Sequence, residues 1–317
     1  MEVSSDNWIE YPVPQPTLKQ LEAFIAIADT GLFRLASEKL NLSQPALSEQ
    51  IAQLEHRLGA RLLDRDRRGA RLTPIGARVA ERARRILADV RGLDAIVRSA
   101  AGNLGGLIRL GALPTLGPYL MPHVVPVLHK RYPELRLYVR EGPGEALEEG
   151  VRSGQYDVAL SVRPYRPEGL HVLPLVEERL FLGVARDDPA SGQGAIGPDA
   201  LAGRDVLTLE HGHRLSELVR TFARDAGARL LEDYQGTSLD GLRQMVGMGV
   251  GVSLFPALYV RSEIRNDRAV AALPVDSADA RRQIVLIWRE GSPRDGDYHE
   301  LAGIIRDRAE TLLKDLG

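Results

Sequence analysis

Residues 33–58 read FRLASEKLNLSQPALSEQIAQLEHRL, and their pattern decides the N-terminal fold. Two amphipathic segments flank a short polar break, Asn41-Leu42-Ser43. Ser43 suits an N-cap, and Pro45 falls in the first helical turn, where a missing N–H costs nothing. Leu47, Ile51, Leu54 and Leu58 then recur at helical spacing and form one apolar stripe. The other face, Gln44, Pro45, Ser48, Glu49 and Ala52, is small or polar. Any antiparallel helix pair would carry such a stripe, so the pair alone leaves the purpose of its outer face open.

The next segment narrows the choice. Residues 57–85 hold ten arginines (57, 61, 65, 67, 68, 71, 78, 82, 84, 85) against three acids (64, 66, 81), a local net of +7. The whole chain carries only −2, so this basicity is local. A basic strip beside two crossed helices with a small, hydrogen-bonding face fits DNA, with the second helix in the major groove. Gly69, behind Arg65-Asp66-Arg67-Arg68, is a turn signal that predicts a hairpin wing.

At these residues the chain resembles the LysR-type transcriptional regulators. Leu18, Leu21, Phe24, Ala28, Gly31, Phe33, Ala36 and Leu40 match the family opening, followed by Ser43-Gln44-Pro45-Ala46-Leu47-Ser48. Ile51, Leu54, Glu55, Leu58, Gly59, Leu62-Leu63, Arg65, Arg68, Leu72-Thr73 and Gly76 continue it. The resemblance implies a winged helix-turn-helix with Ser43, Gln44, Pro45, Ser48, Arg65 and Arg68 on double-stranded promoter DNA. Glu49 and Ala52 depart from it, because many members carry arginine there. That departure bears on the bases read, not on the docking mode.

The 317 residues leave room for two or three domains. Hydrophobic content of 44% with 26% charged residues is ordinary for globular proteins. No apolar run reaches the length of a membrane span, and Met1–Gln15 is acidic and proline-containing, unlike a signal peptide. A cytoplasmic location with no membrane partner is expected. The chain has no cysteine, which excludes disulfides, thiolate metal sites and cysteine nucleophiles.

Val79, Ala83, Ile86, Val90, Leu93, Val97 and Ala100 are spaced 4, 3, 4, 3, 4, 3. That repeat predicts a coiled-coil seam, with Pro74 at the helix start and Gly102 to Gly106 as its stop. A helix lying on its own domain would also be apolar on one side. The family resemblance implies the dimerising linker helix.

Beyond Gly106 the texture turns to alternating strands and helices, which predicts parallel α/β units around an interlobe cleft. Strands are expected at 107–112, 135–140, 156–162, 180–185, 205–209, 250–255 and 283–288. Helices are expected at 118–132, 144–153, 215–225, 238–248 and 298–316. Pro122 and Pro126 should interrupt or shorten the first helix. The fold class is therefore α/β: an N-terminal winged helix-turn-helix, a long linker helix and a C-terminal two-lobed periplasmic-binding-protein-like effector domain. The expected divisions are a flexible extension at 1–17, the DNA-binding domain at 18–75, the linker and hinge at 76–105, and the effector domain at 106–317. Lobe one takes 107–178 and 280–317, and lobe two takes 179–279.

Within the effector domain, residues 113–123, Glu210-His211-Gly212-His213, 222–228, Thr237-Ser238-Leu239 and 251–257 resemble the peroxide-sensing, OxyR-like branch of the family. That branch uses a cysteine directly after the His of a Gly-His pair and a resolving cysteine about nine residues on. Here those places hold Arg214 and Ala223, so the disulfide switch cannot run. Thr115 and Ser238 carry hydroxyls at predicted helix starts, where free N–H groups and the dipole favour anions. Arg214 adds a bidentate cation and His213 a titratable donor. With Pro114 and Thr237 these residues form the expected effector site for a small anion. Ordinary caps and a surface arginine would look the same in sequence. His211-Gly212-His213 lacks a third ligand at recognisable spacing, so no metal and no cofactor is expected.

Three function classes compete: a transcriptional regulator, a periplasmic-type binding protein and an enzyme. The fused basic domain and the absence of a signal peptide disfavour the second. The chain has no phosphate-binding Gly-x-x-x-x-Gly-Lys loop, no His-Glu-x-x-His and no Gly-x-Ser-x-Gly, which disfavours the third. The expected partners are promoter DNA, a small effector, a second copy as homodimer or homotetramer, and RNA polymerase.

Overall fold

The computed structural model describes residues 15–66, 69–99, 104–164 and 166–314. It divides into two compact units, residues 1–91 and 92–317.

The first unit opens with three helices: α1 (Leu18–Thr30), α2 (Phe33–Leu40) and α3 (Gln44–Leu58). Thr17 and Gln20 form a reciprocal capping box on α1. Gly31 and Gly59 end α1 and α3 in the left-handed conformation, at φ of 68° and 63°. Asn41 takes that conformation between α2 and α3, a strain a short polar side chain tolerates. Leu47, Ile51 and Leu54 are fully buried with Phe24 and Ile27. Leu58, expected on the same stripe, is 39% exposed because it falls in the final turn, past the core.

The hairpin of β1 (Leu63–Asp66) and β2 (Gly69–Leu72) follows, pairing Leu63 with Leu72 and Asp66 with Gly69. Glu55 on α3 accepts from the amides of Leu62 at 2.7 Å and Leu63 at 3.1 Å, and so ties this hairpin to the helix pair. The side chain of Thr73 accepts from Gly76 N at 2.9 Å and starts α4 (Pro74–Ser99). The α4 stripe that meets the domain core is Ala80, Ala83 and Leu87. Ile86, Val90 and Leu93 are exposed, at 39%, 37% and 62%. Val79 and Ala83 of the expected seam thus pack on the domain core, and Ile86, Val90 and Leu93 are its exposed members. The Val97 side chain and Ala100 lie outside the described residues.

The second unit holds two cores. Its main sheet runs β10 (Val270–Pro274), β6 (Leu170–Ala185), β11 (Arg281–Arg289), β5 (Val158–Val162), β3 (Gly106–Ala112) and β4 (Leu135–Glu141), with β9 (Ser253–Pro256) also paired to β6. Lobe one contains β3 (Gly106–Ala112), α5 (Gly117–Arg131), β4 (Leu135–Glu141), α6 (Gly144–Ser153), β5 (Val158–Val162), β11 (Arg281–Arg289) and α10 (Asp295–Lys314). Lobe two contains β7 (Asp205–Leu209), α7 (Arg214–Asp225), β8 (Arg229–Gly236), α8 (Leu239–Gly247), β9 (Ser253–Pro256) and β10 (Val270–Pro274). A short helical turn, α9 (Ala257–Tyr259), follows β9.

The 16-residue strand β6 (Leu170–Ala185) serves both lobes. Its first part pairs with β11, and its last part pairs with β9 and β10. Parallel pairing holds for β3 with β4, β3 with β5 and β7 with β8, as strand–helix alternation predicts. The pairs along β6 and β11 are antiparallel, so the sheet is mixed.

Two local expectations change. Helix α5 runs unbroken through Pro122 and Pro126. The proline four residues earlier loses an amide partner at each, and packing of Leu120, Met121, Val124 and Leu128 into the core outweighs that loss. Strands β8, β10 and the first half of β6 have no counterpart among the expected strands, because their segments lack clean alternation, and β10 and β6 pair with strands distant in sequence.

Candidate functional site

On the first unit, α3 turns its polar face outward. Gln44, Pro45, Glu49 and Ala52 are exposed and Ser48 is half-buried. Ser43 is the N-cap, and its hydroxyl accepts from Ala46 N at 3.3 Å. Glu49 accepts from Gln53 at 2.7 Å, and Gln53 in turn accepts from Gln20 at 3.2 Å, so this face is ordered by side-chain bonds. Arg65 on β1 is exposed and lies 4.7 Å over the Phe33 ring, a contact that orients the cation without neutralising it. Arg68 lies outside the described residues. The unit therefore presents a helix with a small, hydrogen-bonding face beside a hairpin that carries a cation. That geometry can enter a groove and hold phosphates.

In the second unit the predicted effector residues fall into different roles. Thr115 is buried and lies before α5 rather than on its cap, which is Leu116. Its hydroxyl accepts from Arg282 Nη1 at 2.8 Å, and its carbonyl accepts from Nη2 at 3.0 Å. Pro114 beside it is half-buried. Arg282 also donates through Nε to Glu178 at 2.7 Å, and Glu178 accepts from Leu258 N at 2.8 Å. The side chains of Arg282 and Glu178 are 4% and 0% exposed. They sit on β11 and β6 near the passage between lobes, so Thr115 is part of a buried hinge network.

His213 is the N-cap residue of α7 without a capping bond from its side chain, and its Nε2 lies 3.8 Å from Glu210. Arg214 opens α7 and is 10% exposed. It donates through Nη2 to Glu148 Oε1 on α6 at 2.9 Å. Its other fork nitrogen lies 3.8 Å from Glu217. Thr237 and Ser238 are exposed, and Ser238 caps α8 by accepting from Gly241 N at 3.2 Å. Asp240 in the same turn accepts from Tyr259 at 2.7 Å. The Tyr259 ring is met edge-on by Tyr119 of α5 at 5.2 Å, across the lobes. Burial pushes both phenols above their ordinary range, with nearby carboxylates adding to the shift.

A cavity of about 700 Å³ opens between the hinge strands and α7. Val162, Arg163 and Gln283 line one side and Leu215, Leu218 and Phe222 the other, with Arg214 in the wall. Its lining mixes apolar groups with charges of both signs: Glu217, Asp225 and Asp279 as well as Arg163, Arg214, Arg281 and Arg282. Among the described residues no three His, Cys, Asp or Glu side chains are grouped to hold a metal ion.

Glu148, Glu178 and Arg282 escaped the sequence reading, although two of them left a signal. Arg282 shares its strand alternation with the fully buried Ile284, Leu286 and Trp288, and Glu178 shares its own with Leu180, Leu182 and Val184. A charge on an inward register announces a buried partner. Glu148 left no such mark.

A winged helix-turn-helix joined to a two-lobed α/β domain is the architecture of a DNA-binding transcriptional regulator. Residues 18–77 match the bacterial regulatory helix-turn-helix protein, lysR family, and residues 101–310 match the LysR substrate binding domain. The chain belongs to the LysR family of DNA-binding transcriptional regulators. It is 35% identical over 293 residues to the DNA-binding transcriptional dual regulator OxyR of Escherichia coli K12, covering 92% of this chain and 96% of that one. It is 36% identical over 300 residues to a probable hydrogen peroxide-inducible genes activator of Streptomyces viridosporus, covering 94% and 96%. A full-length OxyR variant from Pseudomonas aeruginosa superposes with a TM-score of 0.78 at 27% identity, covering 92% and 95%. The chain thus resembles the OxyR-like branch while lacking every cysteine. Among the described residues no helix is long and apolar enough to cross a membrane.

Proposed function

We propose that this regulator works in the cytoplasm and that a small anion bound between its lobes sets its affinity for promoter DNA. The observation that carries this reading is Arg214: a nearly buried guanidinium at the start of α7, in the wall of the 700 Å³ cavity. The free amides of a helix start and a fixed cation both favour a carboxylate or phosphate. A ligand anion would share or replace the position that Glu148 holds on that guanidinium. Pro114, Thr115, His213, Thr237 and Ser238 do not line this cavity, so the proposed anion contact rests on Arg214.

On the DNA side, Ser43, Gln44, Pro45 and Ser48 are proposed at base edges, and Arg65 and Arg68 at phosphates or in the minor groove. A homodimer or homotetramer would read a pseudo-palindrome, and RNA polymerase is the further partner of the assembly. Neither a cofactor nor catalysis enters this reading.

A thermal-shift and calorimetric screen of carboxylate and phosphate metabolites tests it. A genuine effector should raise the melting temperature of the wild type and change its DNA affinity. Arg214→Ala should weaken that ligand by about one to two decades, the worth of a charge-assisted pair. A ligand that binds both proteins equally would remove Arg214 from the site.

A further inference from the structure

The Arg214–Glu148 pair joins the two lobes. Arg214 belongs to α7, whose Leu215, Val219 and Phe222 are in the core of lobe two. Glu148 belongs to α6, whose Leu147 and Val151 are in the core of lobe one. The pair is 2.9 Å long, and its side chains are only 10% and 6% exposed. Arg152, one turn along α6, places its guanidinium 3.7 Å from the second oxygen of Glu148. The stem of Arg214 also crosses to lobe one. A Cβ added at Gly144, the first residue of α6, would lie 3.3 Å from Arg214 Cγ. Glycine there lets the arginine lie against the helix start.

We propose that Glu148 and Arg214 form a latch that holds the lobes at one angle, with Glu148 acting as a built-in carboxylate for the interlobe arginine. The pair is shielded from solvent and salt, so its attraction is less screened than that of a surface pair and it holds the two helices together while the lobes are closed. The latch is a separate contact from the Glu178–Arg282 pair, which joins β6 and β11. This proposal goes beyond the anion reading above, because the latch acts with no ligand present.

The chain has no cysteine, so two can be introduced cleanly for distance measurement. Lys130 on α5 and Arg224 on α7 are both exposed, one on each lobe. Spin labels on Lys130→Cys and Arg224→Cys in the full chain report the interlobe distance by pulsed electron resonance. In the parent the distribution should be narrow. Glu148→Gln, Arg214→Gln and Arg214→Lys should each broaden it and shift its mean, the lysine least because it keeps the charge. The Glu148→Gln and Arg214→Gln double variant should shift it no further than either single one, as expected for one shared interaction.

An unchanged distribution in Glu148→Gln would overturn the latch, and so would additive shifts in the double variant. If a variant fails to fold, Glu148→Gln and Arg214→Lys still decide, since both keep most of the buried volume. Adding benzoate, succinate or inorganic phosphate to the labelled parent separates the two proposals. A latch without any response to these anions would sink the anion reading for them and leave the latch standing.

Discussion

Arg282 binds a carboxylate, a hydroxyl and a carbonyl at once, through Glu178 and Thr115. Removing it leaves Glu178 charged and uncompensated at zero exposure. Arg282→Met should therefore destabilise the second unit by about 3–5 kcal/mol, while Glu178→Met combined with Arg282→Met should recover much of that loss. Urea unfolding monitored by Trp288 fluorescence compares the two variants. Equal losses in both would mean that packing, not charge, holds the hinge. On the other unit, Arg65 carries its charge over the Phe33 ring and remains exposed. Arg65→Ala or Arg68→Ala should weaken binding across DNA sequences alike and lower the salt slope by about one. A change confined to one base position would instead make either residue a base reader.

At the scale of elements, α4 serves two purposes with two stripes. Ala80, Ala83 and Leu87 bury against the winged domain, while Ile86, Val90 and Leu93 stay open. The exposed stripe is spaced 4 and 3 residues, as a coiled-coil partner requires. An aspartate at position 93 would put an unpaired carboxylate in that seam, at a cost of several kcal/mol. Sedimentation of full-length Leu93→Asp should show a lower association state or a marked loss of affinity between copies. An unchanged state would rule out the exposed stripe as the seam. Gly92, next to it, marks a close approach: an added Cβ would lie 2.3 Å from Pro293 Cγ. That spacing was invisible in the heptad pattern, which reads only side chains along one helix.

For the whole molecule, the absence of cysteine separates this chain from the chemistry of the relatives it resembles. Peroxide oxidation to a disulfide needs thiolate sulfur, and the chain offers none. Hydrogen peroxide at signalling levels should leave its electrophoretic mobility and DNA affinity as they were, with or without a later reductant. A reductant-reversible change in DNA binding would contradict this. The second unit instead offers a buried pair at the hinge strands, an interlobe pair and a cavity lined by Arg214 and Arg282.

The sequence alone determined the elements whose signals are local. Helical spacing and the Ser43 cap placed α2 and α3, and the arginine-rich strip with its Gly69 turn signal marked the basic hairpin. The absence of a sulfur switch was also legible, because a count settles it. Only the tertiary structure decided which charges meet. Glu178 and Arg282 lie 104 residues apart, and Glu148 and Arg214 lie 66 apart. Periodicity reports which face of an element turns inward, since that depends on neighbours three or four residues away. The partner of a buried charge depends on how distant elements pack, and only the folded chain brings Arg214 from its expected ligand onto a carboxylate of the other lobe.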